Sequence, residues 1–276
     1  MEKRKRVYPA QTNSNRAFSG LLLALALIIF FTGVSDKQKT TCFLLEQLPE
    51  QTAIPMNEAF DETPADTLIE LPEYSWFALQ TGVFENEEAA RQSALAFQKR
   101  GAAGFLWKDG RFRVLAAVYA SQEDARYVRQ QLQDQHQIDS YLYKVSFPAV
   151  SLRVKGMKGQ TDILKAALIH VHELASNLQR LSVEMDRQEC NPVESVEQIK
   201  ALRTQIDIVA LRLRQRFLSP VPQTVKALLS CFEDFGTFAD ELTGSESAAA
   251  LGTKLKYQTF ASLWKIQEIY QTLNHT

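Results

Sequence analysis

Apolar and polar positions alternate along short stretches in the first half of this chain, whereas in the second half apolar positions recur every three or four residues. Trp76-Phe77-Ala78-Leu79-Gln80 and Arg111-Phe112-Arg113-Val114-Leu115 are aromatic-rich runs that read as strands. Successive strand side chains point to opposite faces. Phe77 and Leu79 therefore share one face of the first strand, and Trp76, Ala78 and Gln80 the other. In the second strand Phe112 and Val114 oppose Arg111, Arg113 and Leu115. The Phe/Leu/Val faces are expected to pack under helices, which leaves the Gln80/Arg113 face looking outward. Gly104-Phe105-Leu106-Trp107 and Tyr141-Leu142-Tyr143-Lys144-Val145 read as two further strands. Lys108-Asp109-Gly110-Arg111 is a hairpin turn signalled by Asp-Gly.

Helical signals follow the first and third of these strands. Asn86 is a good N-cap, Glu87 and Glu88 suit the positive first turn, and Ala90, Ala94 and Phe97 recur at helical spacing up to Gly101. Ser121 and Asp124 have capping-box spacing ahead of Ala125, Val128 and Leu132. The two helix entries are copies of one unit. Val83-Phe84-Glu85-Asn86-Glu87-Glu88-Ala89-Ala90-Arg91 recurs 35 residues on as Val118-Tyr119-Ala120-Ser121-Gln122-Glu123-Asp124-Ala125-Arg126. The order is β-α-β-β-α-β, an α+β fold with an antiparallel sheet and both helices on one face.

Residues 158–276 carry four amphipathic stripes. These are Leu164 to Met185, Val196 to Leu213, Val225 to Leu242 and Leu251 to Tyr270. Asn191-Pro192, Ser219-Pro220-Val221-Pro222 and Gly244 mark the breaks. Four such helices with short loops predict an up-down bundle.

Residues 75–148 resemble a SPOR domain, the peptidoglycan-binding module of bacterial division and sporulation proteins. The resemblance rests on Gln80-Thr81-Gly82-Val83-Phe84 closing an aromatic strand and on the Ala-rich helix from Asn86 to Phe97. It rests also on Phe112-Arg113-Val114-Leu115-Ala116-Ala117-Val118-Tyr119, which matches the family pattern except at Ala117, a glycine in the family, and on Ser121-Gln122-Glu123-Asp124-Ala125. It implies binding of glycan strands stripped of stem peptides by the open sheet face. The glycan-contacting positions it implies are Gln80, Val83, Arg111, Arg113, Leu142 and Tyr143. An amide, guanidiniums and aromatics on a shallow face suit the hydroxyls, acetamides and ring faces of a sugar chain.

Ala17 to Val34 is an uncharged apolar segment of 18 residues, near the lower length limit of a membrane-spanning helix. Residues 1–16 carry Lys3, Arg4, Lys5, Arg6 and Arg16 against Glu2, so the positive-inside rule leaves them in the cytoplasm and everything after Val34 outside. A cleaved signal peptide is the competing reading. Residues 35–74 hold nine acids against two lysines, with four prolines, and read as an extended linker from membrane to wall.

A net charge of −1 excludes a strongly basic nucleic-acid binder. Cys42, Cys190 and Cys231 are odd in number; Cys190 and Cys231 either pair or remain free buried thiols. His170 and His172 stand two apart on a helix and face different sides, so no metal site is expected, nor any cofactor. Arg203, Arg212, Arg214 and Arg216 make the second bundle helix basic, either as a solvated face or as a contact for an anionic partner or lipid head groups. Catalytic constellations are absent, so no enzyme activity is expected. These observations predict a single-pass, membrane-anchored, extracytoplasmic glycan-binding protein that localises or scaffolds division or sporulation machinery, with the helical half recruiting a protein partner. Two alternatives remain: a wall hydrolase with its active site in the helical half, and a protein-protein adaptor whose SPOR-like domain no longer binds glycan.

Overall fold

The computed structural model describes residues 62–273, in which the chain forms six strands and six helices. The first strand, β1 (Pro64–Leu71), lies where the composition predicts linker. Acids dominate that count, but they alternate with inward positions. Asp66 and Glu70 are exposed, whereas Ile69 and Leu71 are buried. The sheet core begins with β2 (Tyr74–Phe84), followed by α1 (Glu87–Gln98), β3 (Phe105–Lys108), β4 (Phe112–Tyr119), α2 (Gln122–His136) and β5 (Tyr141–Phe147). The next strand, β6 (Val150–Met157), pairs antiparallel with β1 from Pro64↔Met157 to Leu71↔Val150. This ribbon leads directly into α3 (Lys158–Asp186).

The four-stranded antiparallel sheet has the order β3-β4-β2-β5. The helix entries form as the sequence dictates. Asn86 Oδ1 accepts from the Ala89 N–H at 3.1 Å, and Ser121 Oγ accepts from the Asp124 N–H at 3.2 Å. Gly110 supplies the positive φ of 83° that the Asp-Gly hairpin turn demands. Gly104, at φ 54°, lets β3 enter the sheet tight against α1; a Cβ there would stand 2.3 Å from the Ala94 carbonyl oxygen.

One face of the sheet packs under α1 and α2, as the alternation predicts. Val114 meets Ala90 and Ala94, while Leu79, Ala117 and Tyr119 cluster with Ala125, Val128 and Leu132. The other face departs from expectation. It does not look outward, because most of it is covered by α3 and by the last helix, α6 (Ala248–Leu273). Trp76, Ala78, Phe105, Trp107, Leu115, Val118, Val145 and Phe147 belong to one continuous apolar cluster with the helical half, each 9% exposed or less. Phe105 stacks on Phe260 at 5.5 Å between centroids, Trp107 meets Trp264, Phe147 meets Tyr270, and Tyr74 stacks on His172. At roughly 1.5–3 kcal/mol per large buried side chain, this face contributes on the order of 10 kcal/mol. Sheet and helices therefore share a core.

α3, α4 (Pro192–Arg216), α5 (Gln223–Asp240) and α6 pack in a ring, each against its neighbours in sequence and α3 against α6. Asn191 caps α4 with Pro192 in its first turn. The side chain of Arg203 runs across Gly236 and donates to its carbonyl oxygen, to Asp240 and to Asp207. Arg214 pairs with Glu233. These two arginines of the basic helix thus serve helix packing. Lys256 of α6 makes a buried ion pair with Asp186 at the end of α3, Nζ to Oδ1 at 2.6 Å, and ties the bundle to the sheet domain by donating to the Gly101 carbonyl oxygen at 3.0 Å. Burial pushes the Asp186 carboxyl up despite the opposing pull of Lys256. Cys231 is a free, buried thiol inside α5, so it does not pair with Cys190, which is disulfide-bonded.

No helix among the described residues is long and apolar enough to cross a membrane. The basic tail at 1–16, the span at 17–34 and the linker up to residue 61 lie outside the described residues.

Candidate functional site

Cross-strand register decides which of the six expected contact residues meet. Gln80 lies opposite Leu115 on one side and Tyr141 on the other, and Val83 lies opposite Arg113. Directly opposed residues share a face. Register shifts on either side of Gln80 keep Gln80 and Val83 on one face although they are three residues apart. Tyr143, opposite Ala78, joins them. Leu142 does not. It lies opposite Leu79 and packs in the apolar cluster under α2. Adjacent strand residues cannot share a face, so Leu142 and Tyr143 were never both available to one ligand. Period-two spacing instead puts Tyr141, which the sequence reading left out, on the Gln80/Tyr143 face, where the residue is 67% exposed.

Three of the expected residues form a clasp. Arg113 Nη1 donates to Gln80 Oε1 at 2.7 Å, and Arg113 Nε donates to both Asp109 oxygens at 2.8 and 2.9 Å. The guanidinium carbon stands 4.8 Å over the Tyr143 ring, and the Tyr143 hydroxyl donates to Asp109 Oδ2 at 2.8 Å. The Tyr143 ring also meets Trp107 at 6.4 Å. β5 and β3 are the two edge strands of the sheet, so Tyr143 reaches across the intervening strands to the β3–β4 hairpin. Gln80 is left only 9% exposed beneath this arch.

The electrostatics follow from the hydrogen bonds. Partial burial pushes the Asp109 carboxyl up, but hydrogen bonds from Arg113 and Tyr143 outweigh it and hold the group below its ordinary range. The Tyr143 hydroxyl is pushed up to about 12, first by burial and then by its bond to Asp109. Arg113 is thus committed to neighbours inside the protein, and only its outer side is partly exposed. Val83, opposite Arg113, and Arg111, two residues before Arg113 at the β3–β4 hairpin, are both exposed, and Arg111 makes no ion pair among the described residues. The arrangement offers an aromatic surface, a cation and amide donors, which is binding chemistry. Among the described residues no three His, Cys, Asp or Glu side chains converge on a metal site.

Comparison with known protein families matches residues 74–144 to the SPOR domain. SPOR domains are peptidoglycan-binding modules of cell division rather than catalysts. No curated protein and no solved structure matches the chain.

Proposed function

We propose that this SPOR-domain protein is a membrane-anchored, extracytoplasmic peptidoglycan-binding protein that positions or scaffolds division or sporulation machinery at the wall. The family match over residues 74–144 carries the reading. The apolar segment 17–34 behind a basic tail supports the anchor and its orientation. Binding to denuded glycan is reversible and involves no chemistry. α4 and α5 pack on the other bundle helices and away from the sheet, which suits them to a protein partner. The test is co-sedimentation of the full chain, purified in detergent, with sacculi whose stem peptides an amidase has removed. Retention on stripped sacculi and not on untreated ones supports the reading; equal loss from both overturns it.

A second reading has its own observation. The helical half covers the centre of the sheet face with fully buried aromatic contacts, which suits an adaptor whose SPOR domain has become a structural support. In that case stripped sacculi retain no more protein than untreated ones, and removing the surface charges of α4 alters partner association alone.

A further inference from the structure

Among the described residues, the helix-covered face of the sheet leaves one corner exposed. Trp76, Ala78, Leu115, Val118, Val145 and Phe147 are each 5% exposed or less beneath α3 and α6. A ligand opens such a cover only by the difference in its affinity for the open and closed states. The buried aromatic area is far larger than anything a few sugar rings touch, so the cover stays closed. Tyr143 offers no stacking surface either, because the Arg113 guanidinium lies over its ring and Trp107 stands against it.

The corner beside them is built differently. Tyr141 projects from β5 directly opposite Gln80, and its exposed ring can take the apolar face of a pyranose. A guanidinium only donates hydrogen bonds, so the Gln80 oxygen must face Arg113, and the amide nitrogen is turned away as a donor. Val83 adds an exposed apolar contact at 38% exposure. Arg111 adds a cation without an ion-pair partner among the described residues. Removal of the stem peptide by amide hydrolysis leaves a free carboxylate on the lactyl ether of each muramyl residue. A planar guanidinium is matched to that group.

We infer that glycan recognition by this chain is confined to this corner, with Tyr141 stacking a sugar ring and Arg111 pairing with the lactyl carboxylate that stem-peptide removal exposes. The inference deepens the peptidoglycan-binding reading and rests on it. It gives preference for denuded glycan a charge basis, because a muramyl residue still bearing its peptide presents a neutral amide there.

The probe is amidase-stripped sacculi, used as they are or with their carboxylates converted to neutral methylamides, incubated with the full chain in detergent. Tyr141→Ala and Arg111→Gln are each expected to weaken retention about tenfold, the size of one lost charge-assisted hydrogen bond or stacking contact. Tyr141→Phe retains binding. Neutralising the carboxylates weakens the unaltered protein to the same extent and leaves Arg111→Gln unchanged. Both positions are exposed, and unchanged thermal unfolding confirms that the variants fold. Wild-type retention by either the Tyr141→Ala or the Arg111→Gln variant overturns the inference alone, as does indifference of the unaltered protein to carboxylate neutralisation. Stronger retention of a Trp264→Ala variant overturns it too, by placing the site under the bundle. Failure of the unaltered protein to bind stripped sacculi sinks the glycan reading itself.

Discussion

Trp107 of the sheet and Trp264 of the last helix stand edge to face, with 5.0 Å between ring centroids and 81° between planes. The geometry suits the quadrupoles of two indoles. It also joins the two halves of the chain, because Trp107 is 2% exposed and belongs to the same apolar cluster as the bundle interior.

The shared core predicts one unfolding transition. Trp107→Ala should cost about 3–5 kcal/mol, as expected for truncating a large buried aromatic. Helical far-ultraviolet signal and sheet-region tryptophan fluorescence should be lost at the same denaturant concentration, in the altered protein and the unaltered one alike. Two separated transitions would show that the halves fold independently.

The Lys256–Asp186 pair should behave asymmetrically. Lys256 is 4% exposed, and burial opposes ionisation of Asp186. Lys256→Met leaves a buried carboxylate without its cation and should destabilise by about 3–5 kcal/mol. A Lys256→Met/Asp186→Leu double variant should recover most of that loss, since an apolar pair of similar volume fits the site. A double-mutant cycle in urea measures both; a double variant as unstable as the single one would refute the account.

His172 should make the docking of sheet on bundle acid-sensitive. Its ring stacks on Tyr74 at 3.7 Å and its Nε2 lies 3.1 Å from the Tyr270 hydroxyl, with Glu173 acting on Tyr74 nearby. Burial lowers its pKa from 6.5 to about 4. The unfolded chain therefore takes up the proton first as pH falls. Stability is fully present above about pH 6.5 and is lost progressively towards pH 4, by on the order of 3 kcal/mol. His172→Phe keeps the stacking but should flatten this slope. Urea midpoints measured from pH 7.5 to 4.5 decide the matter, and an unchanged slope in the variant assigns it to other groups.

Gly104→Ala should destabilise by about 2 kcal/mol or more. The added methyl meets the Ala94 carbonyl oxygen at 2.3 Å, and the backbone φ of 54° disfavours any L side chain. Gly110→Ala, with open space around its Cβ at φ 83°, carries the backbone term alone and should cost less. Comparing their thermal midpoints separates strain from collision.

Local order was legible in the chain because it depends on neighbours in sequence. Asn86 and Ser121 cap helices by bonding residues three positions on, and Asp109-Gly110 turns a hairpin within four residues. The four bundle stripes follow from a period that each helix carries by itself. The strand at Pro64–Leu71 was not legible, because its partner Val150–Met157 lies far along the chain, with Leu71 opposite Val150, and an acid-rich composition masked its alternation.

The candidate site divides along the same line. Alternation placed Gln80 and Arg113 on one face, and the structure joins them by a hydrogen bond. Alternation also carried a signal against an open face. Beyond Arg113, β4 runs Val114-Leu115-Ala116-Ala117-Val118-Tyr119 without a polar residue, the pattern of a strand covered on both sides. The sequence alone determined the four strands and two helices of the sheet domain, the four amphipathic helices after it, and the family of the sheet domain, since each depends on local spacing or pattern. Only the tertiary structure decided that α3 and α6 cover the sheet, that Tyr143 closes over Arg113, and that Tyr141 and Arg111 stay exposed. Those outcomes depend on which surfaces meet between segments remote in sequence, such as Arg113 with Tyr143 and Trp107 with Trp264, and the hydrophobic effect that drives the packing carries no direction.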